Sequence, residues 1–337
     1  MTIFTTENAT NTRDLFYLEF VAEDLNFEDW SATSTEIHYG DPDPGHPGGS
    51  TYSGTFQYTR DGTSAITAVS GAVTQIRTGW TNFDEDWARW TFSGFSLDVG
   101  VFDGSITDAQ FVSLIFRGND TIKGSPYRDD LFGYGGHDRL AGGLGNDTYT
   151  VNGGDTVLEA KNAGTDTIKS TVNCTLPANV ENLVLLGTSP IFGTGNDQKN
   201  TITGNVANNV LKGQGGSDVL VGGLGKDTLY GGKDADVFDF NVLAEIGKTS
   251  ATRDTIADFG VGNDRISLST IDANLKVAGN QAFKFIGTQP FHKVAGELHY
   301  VRGATTVVSG DVDGDGKADF QLALTGSKTL DSGDFSL

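Results

Sequence analysis

Between Gly213 and Asp239 the chain repeats every nine residues: GQGGSDVLV, GGLGKDTLY, GGKDADVFD. Each unit begins with glycine, has aspartate in sixth place (Asp218, Asp227, Asp236) and a large apolar residue in eighth (Leu220, Leu229, Phe238). Glycines in first, second and fourth place let the backbone turn through positive φ at low steric cost. Residues seven to nine are enough for a very short strand whose apolar member points inward. One unit cannot bury that face alone, whereas stacked units can. A fixed register of this kind therefore points to a parallel β-roll, a solenoid in which each coil supports the next.

The same register appears upstream. RGNDTIK supplies half a unit (Asp120, Ile122), followed by GSPYRDDLF (Asp129, Leu131), GYGGHDRLA (Asp138, Leu140) and GGLGNDTYT (Asp147, Tyr149). Counted from Gly195, two further units place Asn200 and Asn209 in the aspartate position before the three aspartate units resume. Turn carbonyls and aspartate oxygens make a hard-oxygen ligand set of the kind calcium takes. We therefore expect Asp120, Asp129, Asp138, Asp147, Asp218, Asp227 and Asp236 to be calcium ligands. Neutral Asn200 and Asn209 should make weaker or empty sites. A glycine-rich disordered linker, the alternative, would keep no register. Tyr127 replaces a fourth-place glycine, and His137 occupies a variable place expected to face solvent.

Residues 155–194 lose the glycines but keep strand-like runs (DTVLEA, DTIKS, NCTLP, VENLVLL), so they should form irregular coils of one solenoid. Cys174, the single cysteine, cannot form an intramolecular disulfide and reads as a small core residue. The arrays resemble those of secreted repeats-in-toxin (RTX, haemolysin-type) proteins of Gram-negative bacteria. The spacer GTDTIKSTVNCTLPANVENLVLLGT is similar to inserts common among them.

The last part, residues 241–337, resembles the C-terminal domain of serralysin-type metalloproteases through RDTIADF, GNDRISLSTID, QAFKFIG, AGELHY, GDVDGDGKADFQLAL and DFSL. The resemblance implies a β domain that caps the roll and accompanies export through a type I secretion channel, with DFSL as exit signal. A cap is also a physical need, since an open solenoid end exposes its apolar stack. Within this part, Asp311, Asp313, Asp315 and Asp319 fall at places one, three, five and nine of an EF-hand-like loop, with Gly316 at six. Leu322 stands where the bidentate glutamate would be, so the loop is a partial match and a second calcium candidate. The protease itself has no counterpart. The histidines are His38, His46, His137, His292 and His299, and no pair has HExxH spacing. GxSxG is absent too.

Residues 1–115 differ in kind. They hold all four tryptophans and 17 acids against 4 bases, which accounts for −13 of the net charge of −21. Short β-type runs broken by Gly, Pro and Asp suit a small antiparallel sheet. From Thr107 the run TDAQFVSLIF reads as a short helix. Aromatics in such a domain are ordinarily core. Trp80 and Trp87 flank the polar loop TNFDED and are the candidates for a sugar-binding platform. His38 and His46 near Glu36, Asp41 and Asp43 read as a solvated loop, with metal or haem ligation as the other readings.

The charge excludes nucleic acid as a partner and argues against direct binding to anionic surfaces unless a cation bridges them. No run is long and apolar enough for a membrane span, and no N-terminal secretory signal is visible. The expectation is an all-β chain in three parts: 1–115, a β-rich aromatic domain; 116–240, the roll; 241–337, cap and secretion signal. Its function would be that of a secreted, non-enzymatic calcium-binding protein that folds on calcium outside the cell. The head would serve adhesion to a surface or matrix polysaccharide. The alternative is an extracellular polysaccharide-modifying enzyme carried on the roll.

Overall fold

The structure is a computed structural model. It describes residues 118–124, 126–260 and 262–337 in full, and five strands nearer the N-terminus by their backbone. The chain forms two compact units, Met1–Asp166 and Thr167–Leu337. Every described element is a strand, apart from 3-10 turns at Leu243–Glu245 and Ser332–Asp334.

In the first unit, Leu18–Glu19, Thr35–Gly40, Gly48–Arg60, Ile66–Trp80 and Trp90–Ser93 pair antiparallel, each with the next in the chain. This is the antiparallel sheet that the punctuated β-runs suggest. The helix expected from Thr107 lies outside the described residues, as do the side chains of His38, His46, Trp80 and Trp87.

The same unit then winds into parallel coils. Thr121–Lys123, Arg139–Ala141 and Thr156–Val157 stack in register, which brings Ile122, Leu140 and Val157 into one buried column. Asp130–Phe132 pairs with Thr148–Val151, which sets Leu131 on Tyr149. A strand of three residues has no independent stability. What holds it is the column of side chains, each worth roughly 1.5–3 kcal/mol on burial.

The second unit repeats this at greater length. Ile168, Leu183, Ile202, Leu220, Phe238, Ile266 and Phe335 occupy successive parallel rungs, all buried. The facing sheet stacks Gly193, Leu211, Leu229, Ile256 and Leu324. Gly193 is small for a reason of space, since a Cβ there would press on Leu183, Ile202 and Leu211 at 3.1–3.2 Å. Cys174 pairs with Gly193 and is half-buried, shallower than the core place suggested by its run.

The roll then changes character. Phe320–Thr325 still pairs parallel with Thr255–Ile256, but Thr305–Asp311 and Glu297–Val301 follow antiparallel. Aromatics finish the stack. Phe285 lies 5.0 Å from Phe335 and stacks on Tyr300 at 6.0 Å, and Phe283 meets Phe320 edge-on at 5.6 Å. The closing DFSL is thus part of the fold: Phe335 is the last member of the apolar column.

The two kinds of leucine give a direct test. Leu220 is 0% exposed and Leu224, four residues on at a turn, is 43% exposed. Leu220→Ala should lower stability by about 2–5 kcal/mol in calcium-containing buffer, and Leu224→Ala by less than about 0.5 kcal/mol. Urea unfolding of the two variants measures both.

Candidate metal sites

Two nonapeptides make one coil, so sixth-place residues 18 positions apart lie one above the other. Four columns result. Asp120, Asp138 and Asp155 form one, and Asp129, Asp147 and Asp166 another. Asn200, Asp218, Asp236 and Asp264 form the third, and Asn209, Asp227 and Asp254 the fourth. In every step the backbone N–H of one residue donates to Oδ1 of the aspartate in the next coil, at 2.7–3.1 Å.

That bond uses only one carboxylate oxygen. Oδ2 of Asp138, Asp147, Asp218, Asp227, Asp236 and Asp254 is buried with no hydrogen-bond partner, as are both oxygens of Asp120. An isolated buried charge is expensive, so such a group either takes up a proton or meets a cation. Desolvation accordingly raises these carboxyls, to about 6 at Asp120 and Asp236, about 7 at Asp138, Asp147, Asp218 and Asp254, and about 8 at Asp227. Neighbouring carboxylates add to the rise at Asp138, Asp147, Asp218, Asp227 and Asp236, while each accepted N–H partly offsets it.

The first glycines of the units lie so close to these oxygens that no side chain would fit. A Cβ built on Gly133 would lie 2.7 Å from Oδ2 of both Asp138 and Asp155. On Gly124 it would lie 2.6 Å from Asp129 Oδ2 and press on the carbonyl of Gly142; on Gly213 it would press on Asp218 Oδ2 and the carbonyl of Gly231. Only glycine lets the turn of one coil approach these oxygens and the next coil's carbonyls this closely. The donor set is all hard oxygen, negatively charged and shut off from water. It fits calcium.

Asn200 and Asn209 do something the aspartates cannot. Each amide oxygen accepts an N–H within its own turn, from Asn196 at 2.7 Å and Asn205 at 2.8 Å. Each amide nitrogen reaches back one coil, Asn200 to the carbonyls of Val180 and Glu181 and Asn209 to that of Ile191. Asn196 and Asn205 donate beside them, to Pro177 and Val180 and to Leu186 and Ser189. Amide hydrogens thus meet the spacer coil's carbonyls, where the coil beneath brings no aspartate.

The DVDGDGKAD loop is held differently. Asp311 is buried and accepts from Gly314 and Gly316, Asp313 accepts from Asp315, and Asp315 accepts from Lys317. Oxygens of Asp311, Asp313 and Asp315 lie within 4.8 Å of one another. Asp319 accepts from the Val312 N–H at 2.9 Å and faces the Lys248 ammonium at 3.5 Å. His137 is exposed, as its variable place suggests.

Five ligand-type residues escape a search for glycine-led units: Asp155, Asp166, Asp254, Asp264 and Glu159. The four aspartates end the columns, and each precedes by two a buried apolar residue (Val157, Ile168, Ile256, Ile266). The sixth-and-eighth spacing without the leading glycine is their signal. Glu159 has no counterpart in the repeat.

Comparison with known families agrees with this geometry. Residues 193–337 match the peptidase M10 serralysin C-terminal family, and residues 116–149 match the RTX calcium-binding nonapeptide repeat. The chain thus carries calcium-binding RTX repeats and a serralysin-type C-terminal domain, and both features are those of secreted proteins. A comparison with curated proteins gave no match. Among solved structures, the AlgE6R3 subunit from the Azotobacter vinelandii mannuronan C5-epimerase is 22% identical over 49% of this chain and 82% of that one, at a TM-score of 0.31. That likeness is too slight to bear on function. No helix among the described residues is long and apolar enough to cross a membrane.

The raised carboxyls set the pH response. Between the ordinary value of 3.8 and about 7, the folded, ion-free roll holds protons that the unfolded chain has released. Stability without calcium therefore falls as pH rises through that window. In a chelator the β signal in circular dichroism should be stronger at pH 5 than at pH 8. Calcium added near pH 6 should release protons into a weakly buffered solution. An ion-free spectrum indifferent to pH from 5 to 8 would contradict this account.

Proposed function

We propose that this chain is a secreted protein whose roll folds on external calcium and whose N-terminal part binds a surface or matrix polysaccharide. The observation that carries the first half is the stack of buried carboxylate oxygens without partners. In a low-calcium cytosol those charges oppose folding, and an unfolded chain is what a type I secretion channel can pass. Outside, each ion that binds only the folded state adds to its stability, by about 2.7 kcal/mol at a hundredfold excess over the dissociation constant. Folding then buries Phe335 and opposes return through the channel.

The ligands in this reading are Asp120, Asp129, Asp138, Asp147, Asp218, Asp227 and Asp236, with Asp155, Asp166, Asp254 and Asp264 completing the columns. Asn200 and Asn209 are neutral and end their columns with weaker or empty sites. The Asp311–Asp319 loop is a separate site in the cap. We divide the work into three parts: 1–115 for binding, 116–240 for the calcium response, and 241–337 for capping and export. The role fits a non-enzymatic protein. Adhesion rests on the aromatic, acidic composition of residues 1–115, with Trp80 and Trp87 as the platform.

Two measurements test this. Millimolar calcium should give a large gain of β signal in the chelator-treated full chain, and identical spectra would sink the folding mechanism. Trp80→Ala with Trp87→Ala should abolish retention on a glycan array while leaving the calcium-induced signal in place. Retention unchanged returns those residues to the core, and turnover of polysaccharide by the purified protein would favour the enzymatic alternative.

A further inference from the structure

The first array ends in an unusual way. At Gly142, the first glycine of its last unit, the atoms nearest a built Cβ are Asp147 Oδ2 and the hydroxyl of Tyr149.

Tyr149 is itself out of pattern. It fills the eighth place, taken elsewhere in the arrays by Ile, Leu or Phe, and is 0% exposed. A phenol in an apolar column needs hydrogen-bond partners. It accepts from the Gly142 N–H at 2.6 Å and donates to Glu159. Glu159 is thereby drawn in toward the aspartate column. Asp147, Glu159 and Asp166 each offer an oxygen within 4.8 Å of the other two, and Asp147 Oδ2 is buried with no hydrogen-bond partner. No other rung of the roll, among the described residues, gathers three carboxylates this closely.

We propose that Asp147, Glu159 and Asp166 form a three-carboxylate calcium site that closes the first array, with Tyr149 as its positioning residue, and that it binds calcium more tightly than the regular rungs. The inference rests on the roll being a calcium-binding fold. Its chemistry follows from charge. Three carboxylates exceed the charge of one calcium ion, and added ligand charge is a lever by which oxygen sites gain affinity. Glu159 adds a third anion to the two aspartates of the rung. A trivalent lanthanide would be neutralised in full, and the adjacent phenol can transfer excitation to it.

The test uses the full chain stripped of metal. Calcium titration by calorimetry should show one step at least about tenfold tighter than the rest, and the first equivalent of terbium should emit on excitation of tyrosine. Glu159→Gln keeps an acceptor for Tyr149 but removes the charge, and should weaken the tight step about tenfold or more. It should leave the calcium-induced β signal of the other rungs intact. Asp166→Asn keeps the oxygen that accepts the Asp147 N–H; it should show the same loss and serves where E159Q folds poorly. Tyr149→Phe should dim the first terbium equivalent, a signal that a purely structural role would not remove selectively. A tight step unchanged in both E159Q and D166N overturns the site while the calcium-folding reading stands. A wild-type chain that binds no calcium overturns both.

Discussion

The roll depends on one hydrogen bond, repeated. The N–H of each sixth-place residue donates to Oδ1 of the aspartate one coil later. It ties coil to coil and fixes the carboxylate's direction. By doing so it seals the second oxygen inside, away from water. Six aspartates carry such an oxygen, and Asp120 carries two. Each buried, uncompensated charge costs several kcal/mol even after relaxation, against a total stability of about 5–15 kcal/mol for an ordinary domain. The sum exceeds what the apolar column can spare. The fold is therefore conditional on protons or cations, and the condition is built into its backbone pairing.

This dependence explains which parts of the structure were legible in the sequence. Asp218, Asp227 and Asp236 stand out because the turn needs glycine and the column needs aspartate at the same period. The apolar ladder from Leu220 to Phe238 follows from that register alone. Asp155, Asp166, Asp254 and Asp264 were missed because their turns lack the leading glycine, with Thr150, Lys161, Thr249 and Phe259 in its place. A column can end on a carboxylate delivered by any loop, as the 27-residue step from Asp227 to Asp254 shows. Glu159 was invisible for a stronger reason: its place is set by a hydrogen bond to Tyr149, a contact across ten residues that no period encodes. The depth of Cys174 depends likewise on how an irregular coil seats against Gly193. The serralysin-like stretches marked the cap, but not that DFSL would supply the last rung.

Asparagine and glutamate at the array ends answer one problem in two ways. An array of ions shared between coils leaves unmatched groups where it stops. At Asn200 and Asn209 the unmatched groups are carbonyls of the spacer coil, and amide N–H donors satisfy them without charge. An aspartate there would have presented an anion to carbonyl oxygens. At Gly142 the unmatched group is instead Asp147 Oδ2, and the chain supplies a phenol and a further carboxylate. The first solution makes a boundary indifferent to calcium. The second, in the site we propose, makes one that would depend on it more strongly than the regular rungs do.

Charge also constrains the head. Residues 1–115 hold −13 of the chain's −21 charge, so its acidity is not a by-product of the repeats. At physiological ionic strength, charges of one sign repel over a screening length of about 8 Å. In the proposed role, an acidic head would meet an anionic polysaccharide with a divalent ion between them, or a neutral one through aromatic faces. Calcium at the level that folds the roll is also present to bridge the first kind of partner. One ion would then govern both when the protein folds and when its head can bind.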